Sequence, residues 1–273
     1  MRLVKEVFSR LVRQFCRGCI PVFVMNLYVR WRVGRVLPTV QLVEFLADPH
    51  VRPVRMPLGV LPNPPSGVTR VVIVSDTHEM HRHVAVPPGD LFLHCGDILM
   101  SSSLTRESRG LHVLQDFNRW LEQIPCREKV VIGGNHDWAL MHLLSQGEEV
   151  LPAAVVLHDK AVELPESRLK IYGNAYSEGT SHNNAWQTEA PQVSDACAGA
   201  ELVMTHHCSP AILEAVLAKA KPVLWASGHK HQDYGTQQRG GTLFVNAATM
   251  DSRYNPLNPP MVVDLPRVRP AKK

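Results

Sequence analysis

The chain has 273 residues, of which 45% are hydrophobic and 20% charged, an ordinary balance for a globular protein with one large core. No stretch approaches the roughly 20 apolar residues that a bilayer-spanning helix needs, which argues against a transmembrane segment. The formal net charge of +4 is mild and its basic residues concentrate near the N-terminus, so no specific nucleic-acid partner is predicted.

Residues 1–66 are predicted to form a basic amphipathic extension that ends in a linker. Apolar residues recur at helical spacing over residues 3–15, and basic residues occupy the opposite face. Glu6 is the sole acid before Glu44, which is typical of a mitochondrial presequence or of a helix that binds an anionic membrane surface through residues 1–35. The alternative is a helix that packs its apolar stripe on the following domain.

Five prolines between residues 53 and 65 predict a stiff linker. A domain is then expected over residues 67–268, followed by a basic tail at 269–273. The six cysteines lack the spacing of a disulfide framework, which favours an intracellular, reducing compartment. We expect a mitochondrial or membrane-surface location if the N-terminal helix acts as a targeting segment, and a cytoplasmic one otherwise.

Five apolar runs of strand length are each followed by residues that bind metals. The runs span residues 71–74, 91–94, 130–132, 202–204 and 223–226. The clusters after them are Asp76-Thr77-His78, Gly96-Asp97, Gly134-Asn135-His136-Asp137, Thr205-His206 and Gly228-His229-Lys230-His231. Because side chains at strand ends converge at one edge of an open α/β sheet, these clusters predict a single site. Carboxylate, amide and imidazole ligands indicate a hydrolase with two metal ions.

The segments between these strands predict the rest of the architecture. Helical spacing over residues 111–121 ends before a proline, as does a run of helix formers over 211–220. Residues 155–172 are predicted to form two strands joined by a turn at 164–166, and residues 174–200 to form a long, functional loop. The expected fold is a two-sheet α/β sandwich with its ligands at one end.

Each cluster also has a purely structural interpretation. In Asp76-x-His78 the two side chains lie on one side of an extended strand, but a lone aspartate there is often a turn former. Asn135 or Asp137 could cap a helix instead of binding a metal. Charge favours catalysis, since two divalent cations with two aspartates and a hydroxide leave a net positive potential for a phosphate ester. A structural zinc site would use cysteines instead.

Taken in order, the five clusters resemble the calcineurin-like metallophosphoesterase superfamily. Residues 117–121, 170–173 and 245–266 resemble, within it, the branch of metallophosphoesterase-domain-containing phosphodiesterases of the class III, cyclic-nucleotide type. The likeness runs from about residue 68 to residue 266 and leaves out the N-terminus. It implies an α/β/β/α sandwich and two divalent cofactors, which would be Mn, Fe or Zn.

The resemblance also implies a role for each site residue. The first metal would be held by Asp76, His78 and His231, and the second by Asn135, His206 and His229. Asp97 would bridge the two metals. A hydroxide activated between them would attack phosphorus, while His136 protonates the departing alkoxide as general acid. Asp137 is expected to orient His136 or to cap a helix, and substrate binding is expected from Asn135, His136 and His207.

These roles predict a phosphodiesterase that acts on small nucleotides, including cyclic ones. The chain departs from the branch at His207-Cys208-Ser209-Pro210, in residues 98–103 and in residues 177–186, all of which would line the substrate pocket. One alternative is a phosphomonoesterase, such as a protein phosphatase, with the same metals. Another is a scaffold of low activity that the N-terminal helix recruits to a membrane.

Overall fold

A computed structural model describes residues 41–100, 107–189 and 192–267 of the chain. The expected N-terminal helix, residues 1–35 with their expected contact to a membrane surface, and the expected basic tail at 269–273 lie outside these ranges. The α-helices of the described part are α1 (Glu107–Gln123), α2 (Trp138–Ser145) and α3 (Pro210–Leu217). None of them combines the length and the apolarity needed to traverse a bilayer.

The first sheet has seven strands in the order β2-β1-β15-β3-β4-β5-β6. Its strands are β1 (Leu42–Leu46), β2 (Val54–Pro57), β3 (Val68–Val74), β4 (Gly89–Cys95), β5 (Cys126–Ile132), β6 (Val155–Leu157) and β15 (Met261–Pro266). The run from β3 to β6 is parallel, whereas β15 is antiparallel to β3. The carboxyl ends of β3, β4 and β5 therefore meet at one edge.

The second sheet has six strands in the order β13-β14-β12-β11-β8-β7. Its strands are β7 (Lys160–Glu163), β8 (Lys170–Asn174), β11 (Leu202–Thr205), β12 (Leu224–Ser227), β13 (Gly235–Arg239) and β14 (Thr242–Asn246). Strands β8, β11, β12 and β14 are parallel, so their carboxyl ends also share an edge. Two short strands, β9 (Ser177–Glu178) and β10 (Gln187–Thr188), pair with each other.

Three buried clusters hold the layers together. Between the sheets, Ile73 and Leu93 of the first sheet pack in one core with Met204 of the second. Alternate residues of the same strands face outward, where Phe92 packs with helices α1 and α2. Trp225, on the outer face of the second sheet, packs with α3. The layers follow the order α/β/β/α, which confirms the predicted sandwich.

The predicted domain boundary at residue 66 needs correction. Strand β1 pairs in parallel with β15, and β2 pairs with β1, so residues 42–57 belong to the first sheet. The last part of the expected linker is also fixed to it, because the guanidinium of Arg70, itself paired with Asp264, donates to the carbonyl of Pro62. The proline-rich segment is therefore partly strand and partly anchored coil.

The five strands predicted to deliver ligands are all present, as are helices at both predicted positions. The prediction for residues 155–172 was partly wrong, because three strands form there instead of two. The turn lies between β7 and β8, while β6 joins the other sheet. In the predicted loop after Asn174, the only strands among the described residues are the two-residue β9 and β10.

Candidate metal centre

The edge shared by both sheets gathers the predicted ligands. The loop after β3 is bound to the loop after β4, since the backbone N–H of Asp76 donates to Gly96 O at 2.9 Å and that of His78 to Asp97 O at 3.0 Å. Asp76, His78 and Asp97 have φ angles of 52°, 43° and 56°, in the left-handed region that residues other than glycine rarely adopt. Such strain is typical of sites where the surrounding structure fixes the backbone for function.

The first group of ligands consists of Asp76, His78 and His231. One ligand atom from each lies within 4.8 Å of the others, and all three residues are buried. The Nε2 atom of His231 is 3.2 Å from Asp76 Oδ1 and 3.3 Å from His78 Nε2. A carboxylate and two imidazole nitrogens that converge at this spacing suit one divalent cation.

The second group consists of Asp97, His206 and His229, together with Asn135. The Oδ1 atom of Asn135 is 3.1 Å from His206 Nε2 and 3.0 Å from His229 Nδ1. Those two nitrogens are 3.2 Å apart. The three ligands predicted for the second metal are therefore brought together around one point.

Asp97 lies between the two groups. Its Oδ1 is 3.4 Å from His206 Nε2, in the second group, and its Oδ2 is 3.7 Å from His78 Nε2, in the first. Each oxygen thus faces a different group, as a bridging carboxylate requires. The backbone N–H of His136 also donates to Oδ1 at 2.9 Å and orients the carboxylate.

Three of the histidines are oriented by hydrogen bonds to backbone carbonyls. The Nδ1 atoms of His78, His206 and His231 each lie 2.9 to 3.1 Å from a carbonyl oxygen, so Nδ1 donates and Nε2 faces the site, where it offers a lone pair once the ring is neutral. The acceptors are Leu99, Cys95 and Asp251, respectively. Metal-binding histidines are commonly oriented in this way. The donor set and its orientation fit two divalent cations.

The pKa values of the site follow from burial and from its two aspartates. Burial, with the neighbouring His136, lowers the pKa of His78 to about 3, and burial with His206 lowers the pKa of His229 to about 3. Burial also acts to lower the pKa of His206, but the charge of Asp97 raises it to about 9. Neutral imidazoles are ready to bind a cation, whereas His206 has to release a proton first.

His136 lies beside Asp97 but is held by other residues. Its Nδ1 donates to the carbonyl of Met100 at 2.8 Å, and its Nε2 is 4.0 Å from Asp97 Oδ2. The side-chain Nδ2 of Asn183 lies 3.0 Å from the same Nε2. His136 thus turns one nitrogen towards the metal-binding groups, where a general acid is expected.

Asp137 has a structural role in the described contacts. It stands at the N-cap position of α2, but its side chain makes no cap bond there. Its carboxylate accepts the backbone N–H groups of Ile98, Leu99 and Gly134 at 2.8 to 3.2 Å. Burial, together with Asp97, raises its pKa despite these three donors. Asp137 therefore joins the loop after β4 to the loop after β5, and its contact with His136 is only through the chain.

His207 lies against the second group. Its ring centroid is 4.6 Å from that of His229, and its Nδ1 accepts the backbone N–H of Glu178 at 3.3 Å. The residue is 7% exposed, and its Nε2 is buried without a hydrogen-bond partner. In this arrangement His207 supports the ligand His229, and its predicted contact with substrate stays a prediction.

Two residues near the site were not singled out from the sequence. Asn183 contacts His136 from the long loop after β8, a segment that the sequence marked as functional without indicating which residue matters. Tyr254 has a φ of 58° and packs its ring 5.0 Å from His78 and 4.9 Å from His231. No motif in the sequence could indicate Tyr254, because its position depends on how the loop between β14 and β15 folds.

Comparisons with known proteins agree with this geometry. Residues 69–263 match the model of the calcineurin-like phosphoesterase superfamily domain. Metallophosphoesterase domain-containing protein 1 of Homo sapiens and its Mus musculus counterpart are each 28% identical to the chain over 270 residues, covering 81% of this chain and 78% of their own. A UPF0046 protein of Caenorhabditis elegans is 26% identical over 245 residues, covering 77% of this chain and 81% of its own.

Proposed function

Because the chain belongs to the calcineurin-like phosphoesterase superfamily and is a metal-dependent phosphoesterase, we propose that it hydrolyses phosphodiester bonds of small nucleotides, including cyclic ones. The proposal depends above all on the position of Asp97. Its two oxygens face two separate groups of ligands, and His136 lies beside it. Two cations held there, as Mn, Fe or Zn, would supply Lewis-acid polarisation of the phosphoryl group and an activated water.

The chain's own residues would position and protonate the substrate. Nδ1 of His136 is held by Met100, so only Nε2 can reach a leaving oxygen. A ribose alkoxide is a poor leaving group and needs this proton, so a general acid here suits a phosphate ester of a nucleoside as the substrate. The half-buried ring of Tyr254 offers an aromatic surface beside the first group, which suits a nucleobase.

The net charge of the site leaves a second candidate. Two divalent cations with Asp76 and Asp97 would keep a positive charge of about two, enough to attract the dianion of a phosphate monoester as well as a diester. A phosphomonoesterase, including a protein phosphatase, is therefore the competing function. A scaffold of low activity is disfavoured, since the predicted ligands lie together in largely buried groups that could hold a metal ion.

The substrate class can be tested with one panel of reactions. Protein freed of metal and reloaded with Mn²⁺, Fe²⁺ or Zn²⁺ would be assayed with cyclic nucleotides, bis-p-nitrophenyl phosphate and p-nitrophenyl phosphate. We expect hydrolysis of the diesters and much slower hydrolysis of the monoester. A preference for the monoester would favour the competing function, and no turnover with any metal would favour the scaffold.

We also propose that the N-terminal segment determines where the protein resides. Its basic and apolar faces favour a mitochondrial or membrane-surface location within the cell, with a cytoplasmic one if the segment does not act in targeting. A fluorescent fusion of residues 1–40 should reproduce the location of the full chain. A diffuse fusion, with no binding of the full chain to anionic phosphatidylserine vesicles, would contradict the proposal.

A further inference from the structure

Asn135 is held by the long loop after β8 through two hydrogen bonds. Its side-chain Nδ2 donates to the backbone carbonyl of Asn183 at 3.1 Å, and its own carbonyl accepts the backbone N–H of Ala185 at 3.1 Å. A carbonyl oxygen only accepts, so the NH₂ half of the Asn135 amide must face Asn183. The other half, Oδ1, then faces His206 and His229 in the second group. The loop thus determines which end of the amide is turned towards the metal-binding atoms.

The orientation of this amide matters because only its oxygen can bind a cation. The amide nitrogen is a donor, so a flipped Asn135 side chain would present N–H groups to the second group of ligands. Residues that orient a ligand from outside the ligand shell typically change metal affinity by about 10- to 100-fold. The support of Asn135 should therefore determine how tightly the second ion binds.

Trp186 fastens the loop to the turn that carries Asn135. Its indole lies on Gly133, where an added Cβ would overlap ring atom Cζ3 and lie 2.7 Å from Cε3. Its backbone N–H donates to Met141 Sδ at 3.3 Å, which ties the same residue to α2. Trp186 is 9% exposed and has a φ of 45°, a left-handed conformation that the surrounding contacts have to maintain. The loop is therefore attached on both sides of Asn135, at the end of β5 and on α2.

We propose that Trp186 is a positioning residue for the second metal, because its indole on Gly133 holds the loop that turns Asn135 Oδ1 towards the ion. The proposal rests on the two-metal centre of the proposed function and does not depend on which phosphate ester is the substrate. The first group takes its ligands Asp76, His78 and His231 from other loops. Its ion should therefore respond much less to a change at Trp186.

Trp186→Phe tests the anchor in a mild way, since phenylalanine keeps an aromatic ring but lacks the outer indole atoms that lie on Gly133. Zn²⁺ would be titrated into the metal-free protein and its binding measured by calorimetry. Asn135→Ala identifies the second ion as the one whose binding it weakens. Trp186→Phe should raise Kd for that ion by about tenfold or more and leave Kd for the other ion within about threefold.

Trp120→Phe is the matched control. Trp120 is 7% exposed and lies in the same buried cluster as Trp186, but its ring packs on Phe92 and Phe117. Unfolding in urea should show a similar loss of stability in both variants, while Trp120→Phe leaves Kd for both ions unchanged. In the Asn135→Ala background the ligand is already lost, so adding Trp186→Phe should change Kd by less than about twofold.

Amide hydrogen exchange in the metal-free protein gives a readout that does not depend on the ion. The N–H of Ala185 should exchange faster in Trp186→Phe than in the wild type and should not change in Trp120→Phe. Unchanged exchange at Ala185 in Trp186→Phe would overturn the proposal. So would an unchanged Kd for the second ion, an equal rise of Kd in Trp120→Phe, or a further rise in the Asn135→Ala background. Fewer than two Zn²⁺ ions per wild-type chain would instead overturn the pair of metals, and this role of Trp186 with it.

Discussion

Substitution of Gly134 by alanine tests whether the close approach of two loops sets the geometry of the metal centre. A Cβ at Gly134 would lie 2.3 Å from Asp97 Oδ1 and 2.7 Å from His206 Cε1. The first distance is roughly 1 Å shorter than an ordinary carbon–oxygen contact of about 3.3 Å. Gly134 is not among the residues with positive φ, so alanine fits the backbone and only the clash is tested. In Gly134→Ala, Asp97 therefore has to move by about 1 Å.

A displacement of this size should reduce kcat/KM by roughly 100-fold, since catalysis is that sensitive to a misplacement of about 1 Å. The overpacking should also destabilise the fold by about 1–3 kcal/mol. The assays are hydrolysis of bis-p-nitrophenyl phosphate, metal content per chain and unfolding in urea. Gly59→Ala is the control, because its Cβ would meet nothing within 4 Å. Retention of kcat/KM within about threefold by Gly134→Ala would refute this account of the site.

Other predictions concern the acid, the core and the N-terminus. His136→Ala should keep its metals but lose about 10²- to 10⁴-fold of activity on diesters with alkoxide leaving groups, and much less on p-nitrophenyl esters; equal losses would contradict the acid role. Asp264→Ala leaves Arg70 buried without its carboxylate partner, so the free energy of unfolding in urea should fall by about 3–5 kcal/mol. A fall of less than about 1 kcal/mol would contradict this prediction. Burial lowers the pKa of His81 to about 4. As the pH falls from about 6.5 to about 4, the free energy of unfolding should therefore decrease by up to about 1.4 kcal/mol per pH unit. In His81→Gln, denaturation curves should show a smaller dependence on pH over this range. Deletion of residues 1–40 should leave kcat/KM unchanged and alter the protein's location, whereas aggregation of the truncated chain would mean that the apolar stripe packs on the domain.

The sign of the His81 effect follows from the folded and unfolded states. Its Nε2 is 3.0 Å from Asp116 Oδ2, and its Nδ1 is buried without a partner, as a neutral ring allows. In the unfolded chain the ring takes up a proton near its ordinary value of 6.5, whereas in the fold it does so only near 4. The unfolded state thus binds more protons over this range, and acid favours unfolding.

The part of the site that the sequence predicts is the part encoded in short, local patterns. Each ligand follows an apolar run within a few residues, as Asp76 follows β3 and Asn135 follows β5. One short stretch of sequence therefore predicts both the strand and the ligand at its end. Parallel pairing then brings the strand ends to one edge. The division of the ligands into two groups around Asp97 was implied by the resemblance to the family, and the distances between the ligand atoms agree with it.

The remaining features depend on contacts between distant parts of the chain. Strand β1 is placed by β15, more than 200 residues later, and nothing in its own short sequence distinguishes it from a linker strand. Asn183 meets His136 across 47 positions, through a loop with no regular period. The carbonyl of Asp251 that orients His231 is a backbone atom, which has no sequence signature. Such features are properties of the folded loops and not of any residue pattern.

The central claim, a pair of metal ions that share Asp97, is tested most directly by metal content. Wild type and Asp97→Asn would be freed of metal, reloaded with Mn²⁺ or Zn²⁺ and analysed for metal per chain alongside hydrolysis of bis-p-nitrophenyl phosphate. Since both oxygens of Asp97 face ligand groups, its loss weakens both sites together. We expect two ions per chain and activity in the wild type, and fewer than two ions with no measurable activity in Asp97→Asn. Two ions and full activity in Asp97→Asn would contradict the shared carboxylate.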